Sequence, residues 1–81
     1  MLPFDVDEVR IDVGKHFRNT WMRRWRWDQL DLREALREAY TVTRAGKRKW
    51  EVFVRKQGAK KLIIAYGEES HEVFVITGAE G

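Results

Sequence analysis

The side chains able to carry chemistry in this chain are mainly cationic, with sixteen Lys and Arg against thirteen Asp and Glu, two histidines and no cysteine. The lack of cysteine removes disulfide frameworks, thiolate nucleophiles and cysteine-based zinc or iron-sulfur sites together. The sequence has no glycine loop that would cradle a phosphate, no Gly-x-Ser-x-Gly elbow and no His-Glu-x-x-His pair. His16 and His71 stand without a spaced carboxylate cluster, so neither a metal nor another cofactor is expected. What remains is recognition of anions. The net charge of +3 conceals an uneven distribution: −3 over residues 1–14, +10 over 15–61 and −4 over 62–81. A basic middle between acidic ends suits a polyanion such as RNA, or an acidic protein. The phosphate contacts this predicts are Arg18, Arg23, Arg24 and Arg26, with the Arg44–Lys49 segment that includes Lys47 and Arg48. Any exposed tryptophan is then available to stack on bases. The competing reading is an ordinary solvated surface of mixed charge.

These residues need a scaffold, and 81 residues are enough for one hydrophobic core and not two. With 43% hydrophobic and 36% charged residues, the chain is apolar enough to offset its ordering entropy, which predicts a globular domain. Residues 1–8 read as an N-terminal arm. They lack the basic start and apolar run of a signal peptide, and no stretch approaches the roughly 18 apolar residues of a membrane span. A cytoplasmic protein without membrane partners is expected. One Asn, two Gln and many Arg and Glu are compatible with a thermophilic source.

Val9-Arg-Ile-Asp-Val13 alternates apolar and polar residues, predicting a short strand over 9–13. After Gly14, Phe17, Trp21 and Trp25 recur at intervals of four, predicting a helix over 15–27 whose aromatic stripe packs on a core. Asp28 and Asp31 are both suitable N-caps, and Asp31 with Glu34 resembles a capping box. They open a second helix over 29–40, with Leu32, Ala35, Leu36 and Ala39 as its apolar stripe. Thr41-Val-Thr43 ends that helix, and Arg44 to Lys49 reads as a basic connection. Strands over 48–55, 61–66 and 72–77 follow, with turns at Gln57-Gly58 and at Gly67 to Ser70. The predicted fold class is therefore α+β, with a short N-terminal strand, two amphipathic helices and an antiparallel three-stranded meander.

Two helices can cover only one face of such a sheet. Phe53, Ile63 and Phe74 or Ile76 then remain apolar on the other. The expected cover is the N-terminal arm through Leu2 and Phe4, a second copy of the chain or a partner polypeptide.

The order of elements resembles the short bacterial toxins of the RelE and ParE type and the BrnT-type ribonuclease toxins. More specifically it resembles a toxin-like family whose first helix carries His-Ala-x-x-Arg and whose closing strand reads Val-Ile-Thr. The matching pieces are Ile11-Asp-Val13, His16-Phe17, Arg24, Glu34-Ala35-Leu36, Leu62 to Tyr66 and Val75-Ile-Thr77, with Thr20 where the family's helix carries Arg. The resemblance implies metal-independent RNA cleavage, in which a base activates a ribose 2′-hydroxyl and cations stabilise the phosphorane. By that resemblance the catalytic set is His16 as base or acid, Arg24 and Arg55 on the phosphate and Lys49 as added charge. Tyr66 and Thr77 would hydrogen-bond substrate from neighbouring strand ends. The same resemblance implies an antitoxin-like protein partner. The bland alternatives are a His16 bonded to its local backbone, a Tyr66 that packs and a His71 that is plain surface.

Overall fold

The computed structural model describes residues 2–80, and its centre is a single mixed sheet of five strands. In chain order these are β1 (Arg10–Val13), β2 (Thr41–Arg44), β3 (Lys49–Arg55), β4 (Ala59–Gly67) and β5 (Glu72–Glu80). The spatial order is β1-β5-β4-β3-β2; β1 runs parallel to β5, and every other neighbour is antiparallel. The expected strand, two helices and three-stranded meander of RelE or BrnT type is thereby corrected to a five-stranded mixed sheet with two short helical segments between its edge strands. β2 was hidden because Val42 is its one apolar residue and the strand lies on an exposed edge. Such a strand is defined by its pairing with β3 and not by its own pattern.

The first helix, residues 15–25, is continuous but not uniform. It is α-helical over Lys15–Phe17 (α1), π-helical over Arg18–Met22 and α-helical again over Arg23–Trp25 (α2). The sequence explains the wide turn. A regular helix advances 3.6 residues per turn, so residues spaced eight apart drift by about 80°. The wider π turn absorbs part of that drift and leaves Phe17 and Trp25 both buried over the sheet. Trp21, between them, packs at the margin.

The helix ends in a Schellman motif: the Trp27 N–H donates to the Met22 carbonyl and the Arg26 N–H to that of Arg23. Trp27 thus lies outside the helix expected to include it, and Arg26 occupies the left-handed position at φ 59°. The second helix, α3 (Gln29–Arg37), is capped by Asp28. Its carboxylate accepts from the Asp31 N–H while Asp31 accepts from the Asp28 N–H. The capping box is therefore Asp28 with Asp31, one turn earlier than Asp31 with Glu34. α3 stops three residues short of the expected end because Tyr40 already donates its N–H to Phe53.

Both helices pack on one face of the sheet, against Val52, Val54, Leu62, Ile64, Val73 and Val75. A register shift at Ile63/Ile64 leaves Ile76 unpaired in β5 and turns Gly78 toward the helices opposite Leu62. A Cβ at Gly78 would stand 2.9 Å from Trp25 and 3.0 Å from Phe17. Lys60 is buried against Trp25 and Trp27, with its ammonium 5.4 Å from the first ring and 5.9 Å from the second. It donates to the carbonyls of Lys56 and Gln57, at 2.8 and 2.6 Å.

The N-terminal arm does not cover the opposite face. Phe4 stacks on Tyr66 at 5.0 Å, on the helix side, and Arg33 and Arg37 of α3 hold Val6, Val9 and Asp7. The arm extends the helical layer and leaves the far face of the sheet bare.

Two tests follow from this packing. Gly78→Val, which forces two aromatics off the sheet, is expected to cost about 3 kcal/mol in denaturant unfolding. The second concerns Asp31, whose carboxyl is held below its ordinary value of 3.8 chiefly by the Asp28 N–H, with Lys56 assisting. A depressed carboxyl stabilises the fold above its unfolded value, and that contribution is lost as pH falls through the folded value. Asp31→Asn should therefore flatten the acid limb of a stability–pH curve below about pH 4, where the unaltered protein continues to lose stability.

Candidate nucleic-acid interface

The cations expected to meet phosphate fall into two groups held by different parts of the scaffold. One group borders a cleft of about 430 Å³ at the end of the sheet where the β2–β3 and β4–β5 connections meet. One wall carries Arg44, Lys47 and Arg48, the other Glu68, Glu69 and Ser70, while Trp50 and Tyr66 line it between them and Pro3 of the arm closes a side. Arg44 is a scaffold residue here. Its guanidinium donates to the carbonyls of Gly46 and Lys47, at 3.0 and 2.7 Å, and lies 5.6 Å from the Trp50 ring. Lys47 and Arg48 are exposed on the loop so held, and neither forms an ion pair among the described residues. The Trp50 ring meets Tyr66 edge-on at 6.2 Å, and Tyr66 is buried apart from what it shows the cleft.

The second group lies along the first helix. Arg18, Arg23 and Arg26 surround a shallow groove of about 260 Å³ with Val13, Met22, Trp27 and Gln29. The Schellman cap shapes it, since Met22 and Trp27 are the hydrophobic pair of that motif. Gln29 fastens the groove to the sheet by donating to the Ile11 carbonyl at 3.0 Å. Arg24 points elsewhere, with its guanidinium 5.5 Å from the Trp21 ring.

The four residues implied as catalytic do not converge. Lys49 and Arg55 share the bare face of β3 but are six residues apart, about 20 Å along a strand. Arg55 lies over Tyr40 at 4.6 Å. His16 is exposed near the start of the first helix, eight residues and about 12 Å from Arg24. Thr77 faces the bare side of the sheet beside Ile63, away from Tyr66. The exposed His71 adopts a left-handed φ of 55° in the β4–β5 turn.

Trp50, Glu68 and Glu69 were not anticipated as site residues. Trp50 alternates with Val52 and Val54 along β3, a pattern that predicts packing, and the glutamates fall in a turn; two connections about twenty residues apart in sequence bring them to one cleft. Among the described residues no group of His, Cys, Asp and Glu could hold a metal ion, and no helix is long and apolar enough to cross a membrane. Comparison of the chain with family models, curated proteins and solved structures finds no match.

Arg26 offers a direct probe of the second groove. A non-glycine residue in the left-handed region costs about 1–2 kcal/mol, and glycine relieves most of it. Arg26→Gly is expected to raise unfolding free energy by about 1 kcal/mol while weakening polyanion binding, as read by thermal melts and by affinity for single-stranded RNA.

Proposed function

We propose that this chain is a binding module for single-stranded RNA, holding phosphates on Lys47 and Arg48 and a base against Trp50. One observation carries the reading. Two cations without an ion pair among the described residues stand beside an aromatic surface in a single cleft, the combination that single-stranded nucleic acid requires. Phosphate supplies the affinity, and stacking on an aromatic ring adds about 1–3 kcal/mol per base without demanding a sequence. Glu68 and Glu69 repel phosphate from the opposite wall and accept hydrogen bonds from base amino groups or ribose hydroxyls, which orients the strand across the cleft. Arg18, Arg23 and Arg26 provide a second phosphate-binding surface for a longer strand.

Binding is favoured over cleavage on geometric grounds. General acid–base catalysis needs its groups within hydrogen-bond reach of one reacting centre. His16 and Arg24 lie about 12 Å apart on the first helix, and Lys49 and Arg55 lie at opposite ends of β3, about 20 Å apart.

The test is fluorescence anisotropy with labelled single-stranded RNA across a salt series, in EDTA, with gel analysis of the same samples. The expected result is salt-sensitive binding without cleavage. Lys47→Ala and Arg48→Ala should each reduce the logarithmic salt slope by about 1, and Trp50→Leu should lower affinity with the slope unchanged. Salt-independent or absent binding would overturn the reading; cleavage lost on replacing His16 would replace it with a ribonuclease.

A further inference from the structure

The bare face of the sheet is a second surface, with a composition unlike that of the basic cleft and groove. Its middle is apolar: Phe53, Ile63, Ala65 and Phe74 sit on the three inner strands, and Phe74 is 44% exposed. Its charged residues are of both signs and nearly balanced, with Arg10, Lys49, Arg55 and Lys61 against Asp12, Glu51 and Glu72. A polyanion selects a surface with a large positive excess, and this face has almost none. An apolar centre ringed by charges of both signs is instead the anatomy of a protein interface.

We infer that this face is where two copies of the chain associate, sheet against sheet. The strand register makes the face self-complementary. Lys49 and Glu51 are consecutive residues on the same face of β3, and their neighbours in β4 are Ala65 and Ile63. A two-fold axis crossing the strands between these rows sets Lys49 of one copy over Glu51 of its mate, and Glu51 over Lys49. It also sets Ile63 over Ala65, and Phe74 over Thr77. Isologous contact requires that each residue find its partner on the same patch, and this register meets that condition.

Five strands spaced about 4.8 Å apart and some seven residues long offer about 500–600 Å² of plane per copy. Two such faces together reach about the 1,000 Å² below which specific association is rare, so the dimer is weak and concentration-dependent. The described part of the arm is engaged on the opposite side, through Phe4 and Asp7.

The inference does not rest on RNA binding, and its test needs no RNA. Sedimentation equilibrium over a wide concentration range should show a reversible monomer–dimer equilibrium. Lys49→Glu or Glu51→Lys alone places like charges across the axis and should weaken the dimer by about tenfold, while the double exchange restores it. Thermal melts of each variant at a concentration where it is monomeric separate a loss of association from a loss of fold. Phe74→Lys should give a folded monomer, as judged by circular dichroism. A protein that stays monomeric to the highest concentration reached overturns the inference. So does a dimer indifferent to all four variants.

Discussion

The contact between the first helix and Gly78 is the constraint from which the rest of the architecture follows. Phe17 and Trp25 come so close to the β5 backbone that a single methyl group at Gly78 would collide with both. Two irregularities make that approach possible. The π turn brings the two aromatics onto one side of the helix, and the bulge at Ile76 brings Gly78 onto the matching side of the strand. The contact is then closed by polar groups at its edge. Trp25 donates its indole N–H to Glu80, Trp27 donates to Gln57, and Lys60 sits between the two rings and the turn carbonyls. A buried ammonium is costly unless its donors are used, and here it is satisfied by two carbonyls and faced by two indole rings.

With the apolar side of the helix committed to the sheet, its arginines have only solvent to face. Among the described residues, no acidic side chain pairs with them, and several of the acids are engaged elsewhere. Asp7 pairs with Arg37, Asp31 and Glu34 hold Lys56, and Asp28 caps α3. Lys56 is raised above its ordinary value by the hydrogen bond from its ammonium to Glu34, which ties the β3–β4 turn to the second helix. These four acids fasten the scaffold, and Arg18, Arg23, Arg26, Lys47 and Arg48 form no ion pair among the described residues. This division of labour produces a basic surface on a chain of modest net charge.

The arm and the two helices share one face of the sheet, so the two faces answer to different demands. The covered face and its ends present cations and aromatic rings. The bare face presents β-branched and aromatic side chains within a balanced ring of charge. The proposed polyanion site and the proposed dimer face therefore lie on separate surfaces.

Local periodicity was legible in the amino-acid order. The alternation of Trp50, Val52 and Val54, the Asp28 cap, the glycine turn at Gln57-Gly58 and the aromatic repeat of the first helix all appear there, because each depends on neighbours a few residues away. The same reading identified an apolar second face, from Phe53, Ile63 and Phe74. It identified the cations as well, but not their grouping. The partnership of β1 with β5, the edge strand β2, the side taken by the arm and the meeting of Trp50 with Glu68 and Glu69 were decided only in three dimensions. Each is a pairing between residues far apart in the chain, whose individual patterns are too short or too polar to specify a partner. Burial against the helical layer selects that partner only once the whole sheet is assembled.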